Sequence, residues 1–183
     1  MDLVDAIKGR RSIRKYEKKN IPNDTIKQII DMAMHAPSSM NGQPWYFIIV
    51  RDDRTKRRLV EIKNRYCPVE KSMYKADFLQ NAPVVIVVCV DHERSFNREV
   101  ENAVLATANI LLGAYQRGLG SVYMSAYKRD EPEVSAEIRQ ALHIPDSVDP
   151  ITIIPLGYPD ETPEPKTMGS LEGVVFHETF GKR

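Results

Sequence analysis

The stretch from Ala103 to Tyr115 is apolar or small at almost every position and lies inside a helical pattern running from Ser95 to Arg117. A helix without a polar face has no side to offer water and must be covered all round. In a chain of 183 residues this predicts a central helix whose remaining surface is shielded by a second subunit, with the alanines and Gly113 permitting close approach.

The other elements arrange themselves around that helix. Val84 to Val90 is continuous and β-branched, as expected of a central strand covered on both faces. Trp45 to Val50 and Ile151 to Leu156 read as further strands, and Leu119 to Ser125 as another after Gly118 caps the long helix. Leu3, Val4 and Ile7 mark a short first helix opened by Asp2. Ile26, Ile29, Ile30 and Ala33 recur at helical spacing up to Pro37. Surface helices are predicted over 53–63 and 132–142, and an irregular excursion over 64–80 with a short helix near Tyr74 to Leu79. The Pro- and Glu-rich tail from Gly157 has little packing power of its own and is expected to lie over the body or over a partner. No repeat or linker divides the chain.

Several function classes drop out. A net charge of +1 argues against nucleic acid, whose binders carry a cationic excess. The longest apolar run, Pro83 to Val90, is far short of the roughly 20 residues of a spanning helix, and the acidic start MDLVD is no signal peptide, so no membrane and a cytoplasmic location are expected. Cys67 and Cys89 lack metal or disulfide spacing, and His35, His92, His143 and His177 have no partner at triad or metal-cage spacing. Nothing nominates a side-chain nucleophile.

Two segments remain. RRSIRKY concentrates Arg10, Arg11, Ser12, Arg14 and Lys15 after a helix. Guanidinium forks match phosphate oxygens, although taken alone the segment reads rather as a solvated basic turn. APSSMNGQPW sets two hydroxyls, two carboxamides and an indole between a helix and a strand. Carboxamides suit the alternating donor and acceptor edge of a flavin or pyrimidine, yet the same residues favour a simple turn. Gly118-Leu119-Gly120 follows a helix and precedes a strand, the reverse of the Rossmann order.

RRSIRKY, APSSMNGQPW, GLGSVYMSAY and IIPLGYP, in this order over residues 10–159, together resemble the nitroreductase family of flavoenzymes. The resemblance implies an α+β fold with a central, mostly antiparallel sheet flanked by helices, in which residues 1–183 form one FMN-binding domain of an intertwined homodimer. It implies that Arg10, Arg11 and Ser12 hold the FMN phosphate and ribityl chain while Arg14 approaches the pyrimidine edge, where a cation favours anionic reduced flavin. Pro37, Ser38, Ser39, Asn41 and Gln43 match a second segment, part of which reaches the partner's flavin. Tyr123, Met124, Ser125 and Ala126 match the segment against the isoalloxazine ring, with the Ala126 N–H expected near N5. Lys166 keeps the first of a basic pair that grips the phosphate, but Met168 stands at the second position, and Ser125 replaces an acidic residue found in several relatives.

The implied activity is ping-pong transfer of hydride from NADH or NADPH through FMN to a small electron acceptor, a nitroaromatic or quinone. Flavin N5 carries the chemistry, which accounts for the missing catalytic side chain. Two alternatives stay open. One is a reductive dehalogenase or other specialised flavin enzyme of the same fold, which would need substrate-binding segments for which no insertion is evident; the other is a flavin-binding or regulatory protein with little turnover.

Overall fold

The computed structural model describes residues 2–67, 75–127 and 130–182. Twelve elements position the site: α1 Leu3–Gly9, α2 Asn23–Met34, β1 Trp45–Val50, α3 Asp53–Arg65, α4 Phe78–Asn81, β2 Val84–Asp91, α5 His92–Ser95, α6 Glu99–Gln116, β3 Gly120–Ser121, β4 Met124–Ser125, α7 Glu133–Leu142 and β5 Val148–Gly157. The sheet runs β1-β2-β5-β3, with β4 also paired to β5, and every strand pair is antiparallel. The α+β architecture with a mostly antiparallel sheet between helices is therefore as expected.

β2 explains the layering. Side chains alternate across a strand, so Val84, Ile86, Val88 and Val90 enter one cluster with Ile26, Ile29, Ala106 and Ile110. Val85, Val87 and Cys89 enter the other, with Leu59, Ile62, Val134 and Ile138. Helices α2 and α6 thus cover one face and α3 and α7 the other, and all seven residues from Val84 to Val90 are fully buried. Cys89 is one of them. Burial, with Asp149 nearby, pushes its thiol up to about 12, so at neutral pH it is a protonated core side chain with no thiolate chemistry to offer.

Three expectations need correction. The single helix over 95–117 is broken, because Phe96 and Asn97 adopt left-handed backbone angles (φ 53° and 57°) between α5 and α6. The strand over 119–125 is split into β3 and β4. By the register, Val122 stands opposite Pro155, which has no N–H for a ladder, and Tyr123 emerges from the gap half-exposed. The short helix of the 64–80 excursion starts only at Phe78, and the part of that expectation that falls on 68–74 lies outside the described residues.

The long helix is buried by its own chain on one side only. Ala103, Ala106, Thr107, Ile110, Gly113 and Ala114 face the core, Thr107 sharing a buried hydroxyl hydrogen bond of 2.7 Å with Thr152 of β5. Val100, Val104 and Leu105 remain exposed, with Ala108 and half-buried Leu111 continuing the stripe at helical steps. Leu3, Val4 and Ile7 of the adjoining α1 are exposed as well. Helix α6 ends as expected: Gly118 takes φ 72°, its N–H reaching the Tyr115 carbonyl and the Leu119 N–H the Ala114 carbonyl.

Candidate functional site

The arginine-rich segment is drawn in as an extended edge. The Ile13 N–H donates to the Ser121 carbonyl (3.1 Å), and Ser12 bridges Ser121 in parallel. Further along, the Glu17 N–H meets the Tyr158 carbonyl (2.9 Å) and the Asp160 N–H meets the Lys15 carbonyl (3.0 Å). Glu161 accepts from the backbone N–H of Arg14 (2.5 Å) and Lys15 (3.1 Å). RRSIRKY, GLGSVYM and the GYP segment at the end of β5, far apart in sequence, therefore form one wall.

Extended geometry sorts the cationic side chains. Ile13 is buried against Gly120, where a Cβ would lie 2.7 Å from the isoleucine Cβ, so the close approach requires glycine. Ser12 and Arg14 are exposed and Arg10 half-buried. Arg11 turns back instead: its Nη1 donates to the carbonyls of Lys8 (2.7 Å), Gly9 (3.2 Å) and Arg10 (3.0 Å), closing the C-terminal end of α1. Tyr16 anchors the wall from behind, its hydroxyl donating to the Ile13 carbonyl (2.5 Å), and burial, then Glu161, raises its phenol above the ordinary range.

A cavity of about 480 Å³ lies between Arg11, Tyr115, Gly120 and the start of the tail at Pro159, Pro163 and Pro165. Lys166, next to Pro165, is exposed, as is Met168. Across the wall, Tyr123 and Met124 stand at the break between β3 and β4. The Ser125 hydroxyl is held locally by the Tyr127 carbonyl (2.6 Å). The Ala126 N–H, the donor expected near N5, donates here to the Ile151 carbonyl (2.8 Å) as β4 pairing continues. Sequence reasoning also passed over Lys63, whose Nζ donates to the Ser125 carbonyl (2.6 Å); at the end of a surface helix nothing in the sequence marked it.

The APSSMNGQPW loop is elsewhere. Its Ser39 N–H donates to the Asn102 Oδ1 (3.0 Å) in the first turn of α6, whereas Gly9, the residue just before the arginine segment, abuts Tyr115 at the other end. From residue 102 to 115, at about 1.5 Å rise per residue, the two ends are roughly 20 Å apart. The loop is unusual in backbone too. Met40, Asn41 and Gln43 take φ of 50°, 54° and 45°, a region that costs a non-glycine residue about 1–3 kcal/mol and persists only when neighbours impose it. The Gln43 N–H donates to the Ser38 Oγ (3.1 Å), the Gln43 side chain to Asn41 Oδ1 (3.1 Å), and Arg94 Nη1 to the Gln43 carbonyl (3.0 Å). Pro37 and Met40 at this loop are exposed. The one signal for Asn102 was a carboxamide in the core-facing stripe of α6; Arg94 had none.

Among the described residues no His, Cys, Asp and Glu group could hold a metal ion, and no helix is long and apolar enough to cross a membrane.

Comparison with known proteins places this arrangement. The nitroreductase family model matches residues 7–158. A Methanothermobacter thermautotrophicus protein with the provisional name NADH dehydrogenase/NAD(P)H nitroreductase is 38% identical over 165 residues, covering 89% of this chain and 80% of its own length. Iodotyrosine deiodinase of Thermotoga neapolitana is 30% identical, with 97% and 98% covered. The structure of an FMN-dependent nitroreductase from Clostridium difficile superposes with a TM-score of 0.85 at 30% identity, covering 97% of this chain and all of that one.

Proposed function

Because this chain belongs to the nitroreductase family, we propose that it is an FMN-dependent oxidoreductase that passes hydride from NADH or NADPH to a small acceptor, such as a nitroaromatic or a quinone, and that it does so as a homodimer. The carrying observation is the separation of the two polar segments by the length of α6, with an apolar stripe running between them. On this reading each flavin takes the arginine segment of one chain and the 38–43 loop of the other. A two-fold axis perpendicular to α6 pairs the stripe with its own copy antiparallel, covering Val100, Val104 and Leu105 and bringing the partner's 38–43 loop beside this chain's arginine segment. The exposed apolar residues of α1 and of the tail, Leu171, Val174 and Phe180 among them, are further candidates for that interface.

The residues present fit FMN. Arg10, Ser12 and Arg14 offer cationic and hydroxyl donors along one extended segment, which suits a phosphate, a ribityl chain and an electron-rich ring edge in sequence. Arg11, its Nη1 held by three backbone carbonyls, keeps this segment in place, so the phosphate rests chiefly on Arg10, with Lys166 from the tail. Tyr123 and Met124 would lie against the ring, and Lys63 sets the Ser125 carbonyl behind it. On this reading Pro37, Ser38, Ser39, Asn41 and Gln43 complete the ring's surroundings from the partner. Bound FMN would supply reversible hydride transfer, first from the nicotinamide and then, after its departure, to the acceptor. The protein contributes orientation, charge and exclusion of water.

A second reading, reductive dehalogenation, is favoured by the deiodinase likeness. That relative aligns over 98% of its own length, so the absence of an evident insertion does not separate the two activities. One experiment decides between them. Under anaerobic conditions NADH or NADPH is expected to bleach the bound flavin, and a quinone to restore its colour; flavin that neither nicotinamide reduces, with iodide released from an iodotyrosine under a chemical reductant, would support the second reading.

A further inference from the structure

We propose that Asn102 is a positioning residue of the FMN site: it fixes the strained 38–43 loop in the shape needed to meet the partner's flavin. This rests on the reading of that loop as a flavin contact. Asn102 is 1% exposed, and both ends of its carboxamide are used. Its Oδ1 accepts the Ser39 N–H (3.0 Å) and its Nδ2 donates to the Ser95 carbonyl (3.1 Å), tying the loop to the junction of α5 and α6. A carboxamide carries the donor and the acceptor of this bridge on one planar group.

The junction is itself braced. Ser95 is fully buried, and its single hydroxyl proton lies within reach of both the His92 carbonyl (2.8 Å) and the Glu99 carboxylate (2.7 Å), donating to one at a time. At the loop's far end Arg94 donates to the Gln43 carbonyl while its guanidinium lies over the Tyr46 ring, 4.9 Å from the centroid. Between these two pins lie the three left-handed residues, with Met40 at the exposed tip. Left-handed backbone at three non-glycine positions relaxes unless its ends are held. With the pins in place, Ser39, Asn41 and Gln43 are preset before any ligand arrives; without Asn102 the loop must be ordered at the expense of binding.

The test compares wild-type protein, Asn102→Ala and Arg94→Met, each reconstituted with FMN, by FMN titration, visible circular dichroism of the bound flavin and size-exclusion chromatography. Asn102→Ala is expected to remain dimeric, to bind FMN about tenfold more weakly, and to alter the flavin's dichroism. Arg94→Met, which keeps an aliphatic cover on Tyr46 but loses the bond to Gln43, is expected to weaken binding by about threefold. A purely structural role would lower the melting temperature and leave the dissociation constant and the dichroism of folded protein as in wild type, and that result overturns the proposal. Should Asn102→Ala fail to fold, wild-type flavin affinity and dichroism in Arg94→Met overturn it alone. Wild-type protein that takes up no FMN removes the underlying functional reading as well, whereas tight wild-type binding with unaltered variants removes only this inference.

Discussion

Replacing Leu105 by glutamate is expected to yield folded monomers that retain no flavin and reduce no quinone. Leu105 is 41% exposed in the single chain, so the carboxylate meets water there and the fold is undisturbed. In the proposed assembly the same side chain is enclosed by the partner, and an uncompensated buried charge costs about 3–5 kcal/mol. The two-fold axis places it twice. Because each site needs the partner's 38–43 loop, dissociation and loss of flavin should occur together. Size-exclusion chromatography with detection of flavin absorbance checks both, and a flavin-loaded monomer would break the link between them.

Arg10→Ala is expected to weaken FMN binding by about 1.5–3 kcal/mol, roughly ten- to a hundredfold in Kd, the usual effect of losing a charge-assisted contact. The dimer should persist. Arg11 separates this expectation from a general effect of charge. Its guanidinium closes α1 through the carbonyls of Lys8, Gly9 and Arg10, so Arg11→Ala acts first on the stability of the helix end. Isothermal titration with FMN alongside thermal melting distinguishes the two variants. Equal flavin affinity in Arg10→Ala and wild-type protein would remove the phosphate assignment.

The sheet was legible because its strands carry their own periodicity: the continuous β-branched run of β2 needs cover on both faces, and the helices supply it. The apolar breadth of α6 was equally plain, although in one chain only half of it is buried, and the rest turns the same pattern into an argument for a second subunit. Boundaries set by tertiary structure were not legible. Nothing local in SVYMS announces that the strand must break where it meets Pro155, and the left-handed turn at Phe96 and Asn97 depends on how α5 is braced.

The site was legible as residue types and not as roles. Arg10, Arg11, Ser12 and Arg14 look alike in sequence as a phosphate clamp, yet the extended segment sends Arg11 back to its own helix. The Ala126 N–H, named as a donor by resemblance, also has a partner in the sheet, the Ile151 carbonyl, which the sequence did not announce. Lys63, Arg94 and Asn102 act through backbone carbonyls and amides that are remote in sequence, which no spacing rule can find.

The composite site can be tested by complementation in a purified mixed dimer, carrying Arg10→Ala and Arg14→Ala in one protomer and Ser39→Ala and Asn41→Gly in the other. Glycine at position 41 tolerates the φ of 54° while removing the carboxamide. With each site assembled from both chains, one site carries all four changes and the other none, so the mixed dimer should bind a single FMN with wild-type affinity although both parent dimers bind poorly. A mixed dimer that binds FMN no better than its parents would show that each flavin is held within one chain.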